Sequence, residues 1–314
     1  MRFLTEIPFK KELDINHHHG ILLLGSCFTE NIGRRLEACH FRVSCNPLGI
    51  LFNPVSIQQT IERILEDRKV TEEEVFETDG VWNSFDFHSQ FAKCSLSEYL
   101  ANINQQIELA HQFIKNTDFV FITLGTAWVY EENESHHIVA NCHKVPANRF
   151  TRKRISESEC TERLKTIVNQ LKAVNEKMNI IFTVSPIRHW KDGAHGNQLS
   201  KSILLLSVDN VCREMQNCHY FPSYELMMDE LRDYRFYADD MLHPSEQAQA
   251  YIWEKFGDTY FNEETQQINK EVLSLEQALH HRPINPDSES FKRFQEETQK
   301  KKQILVQKYP FLHF

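Results

Sequence analysis

Glycine is scarce in this 314-residue chain, with 9 residues, and so are proline, with 10, and unbroken apolar sequence. No run approaches the roughly 18–20 apolar residues that a membrane helix needs, so no membrane partner is expected. Met1 to Leu13 is mixed polar and lacks the continuous apolar stretch of a secretory signal, which makes a cytoplasmic location the expectation. Positive charge is in deficit too. The 35 Lys and Arg against 44 Asp and Glu leave a net charge of −9, which argues against a general nucleic-acid binder. Two local basic stretches, Arg149 to Arg154 and Lys300 to Lys302, read as solvated faces. The eight cysteines contain no C-x-x-C pair and no regular framework, so reduced thiols are expected, most of them as small core residues. His17, His18 and His19 are adjacent, and adjacent side chains diverge in any regular structure. His136, His137 and His143 also lack metal-ligand spacing. No metal or cofactor is expected.

The chain does contain alternating strands and amphipathic helices, at a length compatible with one large α/β domain or two small ones. Ile21 to Leu24 reads as a strand buried on both faces. Gly25 breaks it, Ser26 and Cys27 follow, and Phe28 to Leu36 continues as a helix. Further strands are expected at Phe41 to Cys45, Phe119 to Leu124, Asn179 to Val184 and Tyr220-Phe221. Helices are expected over Ser56 to Arg68, Ser97 to Lys115, residues 198–216, and from near Pro244. Ser156-x-x-Glu159 is a capping-box signature for another. Residues 69–96 read as an insertion, with Asp79-Gly80 as a hairpin turn. A polar, His-rich loop is expected from Tyr130 to about residue 155. The alternation predicts a parallel sheet covered on both faces, in an α/β domain over residues 1–262. From Glu263 to Phe314 the chain is charged and helix-prone, divided by Pro283 and Pro286. It reads as a helical extension that packs back on the domain or serves a partner.

In an open parallel sheet, ligands bind outside the carboxyl ends of the strands. Four polar loops fall there: Gly25-Ser26-Cys27, the loop around Gly49, Gly125-Thr126-Ala127-Trp128, and Asp239-Asp240-Met241-Leu242-His243-Pro244. The three-residue spacing of Asp240 and His243 lets the carboxylate hold the imidazole, so that the other ring nitrogen serves as base. A helix N-cap explains the Asp as well. A nucleotide site of the Rossmann type is disfavoured, because Gly25-x-Cys27 lacks the second glycine that admits a pyrophosphate.

Three blocks, Gly25-Ser26-Cys27-Phe28-Thr29-Glu30, Leu124-Gly125-Thr126-Ala127-Trp128-Val129-Tyr130 and Asp239-Asp240-Met241-Leu242-His243-Pro244, resemble the GSCFA family, a branch of the SGNH (GDSL-type) hydrolases. The resemblance covers roughly residues 20–258, and Ser185-Pro186-Ile187-Arg188-His189 is similar to a family segment too. It implies a flavodoxin-like three-layer α/β/α fold, with the helical extension beyond it. It also implies ester-type acyl chemistry from a nucleophile, an Asp-x-x-His pair and an oxyanion hole. GDSL-type enzymes carry Gly-Asp-Ser in the first block. Without gaps the nucleophilic position falls on Cys27 and Ser26 replaces the Asp, while a one-residue shift makes Ser26 the nucleophile. A cysteine at a helix N-terminus beside His243 is expected to favour thiolate. The asparagine of the family's Gly-x-Asn-Asp block is absent here, so Thr126 or Trp128 would have to supply that oxyanion donor. Gly49 matches the backbone donor of the second block, or is an ordinary turn glycine. Arg188 and His189 could line the pocket, and a carboxylate or phosphate on the substrate would suit Arg188. Trp190 and Lys191 read as surface loop.

The expected function is therefore an SGNH-like hydrolase cleaving an ester or thioester of a small molecule or carbohydrate, such as an acylated cell-envelope precursor. Cys27 or Ser26 attacks, His243 is the base and Asp240 orients it. Acyl transfer to a sugar hydroxyl would use the same residues, and a binding module without turnover would keep only the fold.

Overall fold

A computed structural model describes residues 5–312 and Phe314. The first strand, β1 (Gly20–Gly25), leads directly into helix α1 (Cys27–Ala38), and β2 (Arg42–Cys45) follows. Helix α2 (Pro54–Leu65) starts two residues earlier than its apolar spacing indicates. Asn53 caps it by accepting from the Ser56 N–H at 2.9 Å, and Pro54 sits where a missing N–H costs nothing. A short hairpin, β3 (Phe76–Thr78) and β4 (Val81–Asn83), turns at Asp79-Gly80 with both residues at positive φ, the demand of a type I′ turn. Next come α3 (Leu96–Ile114) and β5 (Phe119–Leu124).

The stretch expected as a polar loop is not irregular. It forms a three-stranded antiparallel sheet of β6 (Trp128–Glu132), β7 (Ile138–Val139) and β8 (Phe150–Arg154), in the order β7-β6-β8. Its strands carry Glu131, Glu132 and the Arg152-Lys153-Arg154 run, so a polarity scale reads it as loop. Cross-strand pairing, with Trp128 opposite Arg154 and Tyr130 opposite Arg152, holds it instead.

Helix α4 (Glu157–Val174) is capped by Ser156, whose hydroxyl accepts from the Glu159 N–H. It is followed by β9 (Asn179–Val184), α5 (Gly193–Glu214) and β10 (Cys218–Tyr220). A single turn, α6 (Ser223–Glu225), runs into a π-turn at Leu226–Glu230, and α7 (Glu246–Tyr260) completes the domain. Pro244 does not open that helix. It pairs with Tyr237 in an isolated bridge, and Ser245 is the N-cap.

The main sheet runs β10-β9-β5-β1-β2, with every pairing parallel. Counted along the chain this is the 2-1-3-4-5 order of a doubly wound, flavodoxin-like sheet, with its switch point between β1 and β5. The apolar strands are continuous because both faces are covered. Leu22, Leu24, Val120, Ile122, Ile180 and Phe182 pack under α2, α3, α4 and α5. Ile21, Leu23, Phe119, Phe121 and Ile181 pack under α1 and α7. Among the described residues no helix is long and apolar enough to cross a membrane.

The C-terminal extension is helical and packs back on the domain. Helices α8 (Glu263–Leu279) and α9 (Glu289–Lys308) bury Ile268, Val272, Leu275 and Leu305 between them. The pair is fastened near the far end of α1, where the His40 ring meets Glu276 at 2.8 Å.

Candidate active site

The switch point puts the ends of β1 and β5 side by side, and Gly25 makes the joint possible. Its φ is +138°, and a Cβ there would fall 2.2 Å from the Thr123 carbonyl oxygen of β5. The chain therefore turns at once: Ser26 is the N-cap of α1 and Cys27 its first residue. The Ser26 hydroxyl is buried and finds no hydrogen-bond partner, whereas Cys27 is only partly buried. Cys27 Sγ lies 3.9 Å from His243 Nε2. The other ring nitrogen, Nδ1, is 2.5 Å from Asp240 Oδ2, and Asp240 Oδ1 accepts from the N–H groups of Leu242 and His243 at 2.9 Å each. The loop that holds this pair is closed by the Ala238 N–H, which donates to the His243 carbonyl.

Ionisation follows from these contacts. The two backbone N–H groups and the His243 ring hold the Asp240 carboxyl down at about 2. Burial, followed by the Glu30 carboxylate, pushes the Cys27 thiol above its ordinary value. The N–H groups that open α1 and the Lys201 charge pull the other way and do not prevail. The expectation that this position favours the thiolate is corrected in direction, because burial outweighs the helix N-terminus. His189 is held neutral, down to about 4, first by burial and then by the Lys201 charge.

Cys27, Ser26, Thr126, Trp128, Arg188, His189 and His243 come together around a cavity of about 410 Å³. Gly49 does not belong to it. Its N–H is spent on the Asn46 carbonyl at 2.8 Å, and its φ of +96° with His88 close by makes it a turn glycine. The oxyanion role expected of it is thereby corrected. Thr126 Oγ1 accepts from the Trp128 N–H and shares a hydrogen bond with Ser200 Oγ at 3.1 Å. The Trp128 indole N–H is buried without a partner, its ring lying 4.4 Å from the Arg152 guanidinium.

Several residues of the site escaped the sequence reading. Asn53 lines the cavity, and its side-chain amide gives one proton to Ser56 Oγ and keeps a second. The solvated-face reading of Arg152 is corrected, whereas Trp190 and Lys191 are exposed as expected and line the cavity as well. Arg152 pairs with Asp192, Lys191 Nζ donates to the Tyr130 hydroxyl at 2.5 Å, and all three cavity residues form its wall or rim. Lys201 is fully buried, donating to the carbonyls of Gly125 at 2.8 Å and Ser185 at 2.7 Å, just past the ends of β5 and β9. Its signal was in the sequence. It lies three and seven residues before Leu204 and Val208 on the buried face of α5, where a lysine must have a reason.

No curated protein matches the chain. Among solved structures it is similar to a candidate platelet activating factor from Streptococcus pneumonia, at 12% identity and a TM-score of 0.40, over 76% of this chain and 84% of that one. It is also similar to a carbohydrate esterase family 3 protein from Talaromyces cellulolyticus, at 11% identity and 0.33, over 80% and 98%. A family 3 carbohydrate esterase from Clostridium thermocellum stands at 12% and 0.33, over 76% and 95%. The model of the GSCFA family matches residues 20–256, and that of the GSCFA domain protein's C-terminal domain matches residues 272–314. The chain belongs to the GSCFA family.

Proposed function

We propose that this protein is an acyl hydrolase whose nucleophile is the Cys27 thiol. The observation that carries the reading is the line Cys27 Sγ, His243 Nε2, His243 Nδ1, Asp240 Oδ2, with links of 3.9 Å and 2.5 Å at its two ends. Asp240, ionised down to about pH 2, keeps the proton on Nδ1 and leaves Nε2 free to accept. His243 removes the thiol proton as Sγ attacks an ester or thioester carbonyl, and the carbonyl π pair moves onto oxygen. The N–H groups that open α1 and the second Asn53 amide proton are the donors that the cavity wall offers to that oxygen. The intermediate collapses, the leaving alcohol or thiol takes the proton from His243, and an acyl-cysteine remains. Water, deprotonated by His243, then releases the acid. Trp190, with half of its surface exposed at the cavity rim, offers a flat apolar face that suits a sugar ring on the substrate.

Ser26 lacks what the step requires, because its buried hydroxyl has no hydrogen-bond link to His243. The test is a panel of short acyl esters and thioesters with wild type, Cys27→Ala and Ser26→Ala. Turnover and acyl-enzyme formation are expected to drop by at least about 10³ in Cys27→Ala and to persist in Ser26→Ala. Loss confined to Ser26→Ala reverses the assignment, and an unaltered Cys27→Ala removes it.

A further inference from the structure

The cavity beside Cys27 is cationic in a chain of net charge −9. Three permanently charged side chains line it, Arg152, Arg188 and Lys191, and among the described residues no Asp or Glu does. Two of the three are already engaged. Arg152 is paired with Asp192, and Lys191 is held on the Tyr130 hydroxyl. Arg188 differs. It is partly buried, one terminal nitrogen is hydrogen-bonded to the Met228 thioether at 3.1 Å, and its Nε, like that of Arg152, is buried with no partner. Among the described residues no carboxylate pairs with it. A thioether is a weak acceptor, so the protein leaves this guanidinium uncompensated at the wall of a cavity that contains the reactive thiol. Desolvating an unpaired arginine is costly, and an oxyanion bound by it in the fork geometry would recover the cost.

We infer that Arg188 is the anion-binding residue of this cavity and that the substrate carries a carboxylate or phosphate group which sits on Arg188 while its carbonyl is at Cys27. The inference rests on the acyl-hydrolase reading for the carbonyl, but the anion site itself is independent of turnover. Arg188 sets which esters bind. His243 and Asp240 set what happens to them.

Alkylation tests it without requiring hydrolysis. The full chain is treated with iodoacetate or iodoacetamide, near-isosteric reagents of which only the first is an anion, and labelling of Cys27 is followed by mass spectrometry. Exposed Cys94 in the same molecule serves as the internal reference. The iodoacetate-to-iodoacetamide rate ratio at Cys27 is expected to exceed that at Cys94 by about tenfold, the scale of one charge-assisted hydrogen bond. Arg188→Met should bring it to the Cys94 value, and Arg188→Lys should keep part of it. Acetate and inorganic phosphate added as competitors of Cys27 labelling by iodoacetate identify which oxyanion is preferred. Equal ratios at Cys27 and Cys94, a ratio unchanged in Arg188→Met, or no labelling of Cys27 by either reagent overturns the anion site. Lack of turnover on neutral and anionic esters alike, with the labelling preference intact, counts against the hydrolase reading alone.

Discussion

Lys201 is the residue whose placement asks most of the fold. Burial pushes its amine from the usual 10.5 to about 7. A neutral amine has two protons, and two strand-end carbonyls receive them. The sign of the resulting pH dependence is set by protons held. Between about pH 7 and the usual lysine range the unfolded chain keeps a proton that the folded chain has lost, so stability rises with pH across that window. Relative to Lys201→Met, wild type should gain about 2 kcal/mol between pH 7 and pH 9 in urea denaturation. A difference that does not change with pH would mean the amine is charged throughout. The same scale explains why Cys27 and Asp240 were legible and Asn53 and Arg152 were not. Asp240 and His243 are three apart, so their contact is written locally. Asn53 reaches the cavity from the loop ahead of α2, and Arg152 from a strand paired across the small sheet, and no local spacing encodes either placement.

Among the elements, the joint between β1 and α1 sets the position of everything at the site. Four consecutive aliphatic residues make a strand only because both faces are covered, and that pattern was visible in advance, as were β5 and β9. The antiparallel sheet of β6, β7 and β8 was not. Its strands run apolar then charged, Trp-Val-Tyr-Glu-Glu and Phe-Thr-Arg-Lys-Arg, without the strict alternation that marks a strand, and a two-residue strand has no period to detect. The Gly25 backbone cannot be adopted by a residue with a side chain without displacing Thr123, the strand neighbour across the switch point. Gly25→Ala is therefore expected to cost at least about 3 kcal/mol, through both strain and collision with backbone. Thermal unfolding measures the loss, and a variant as stable as wild type would show that β1 and β5 can separate at their ends. Gly49→Ala would collide with His88, at its Cβ and close to its backbone N and Cα, in a loop rather than across paired strands of the main sheet.

For the whole molecule, the C-terminal pair α8 and α9 is anchored beside His40, whereas Cys27 opens α1 at the other end. Twelve helical residues separate them by about 18 Å. Removing residues 263–314 should thus lower the melting temperature by about 3 °C or more, because α8 and the Glu276 contact leave the α1 side of the core. Cys27 labelling by iodoacetamide should stay within about twofold of the full chain, since single-helix separation insulates the site. A large change in labelling would instead place the extension in the service of the cavity. That the segment is helical was readable from its charge and helix propensity. Its docking was not, because the surface that receives it is assembled from α1, His40 just after it, and His17 and His18 ahead of β1, which meet Phe311.

Cys27 and His243 stand 216 residues apart, one at the first strand–helix joint and the other just ahead of α7. A chain made from its N-terminus has Cys27 long before it has His243. The contact between them is among the most non-local in the molecule, and such contacts form late because loop closure must precede them. The pairing of Cys27 with His243 is therefore a marker of completed folding. Until α7 docks, Cys27 is an ordinary solvated thiol with the ordinary ionisation of one, and only the finished fold buries it and sets it against the His243 ring.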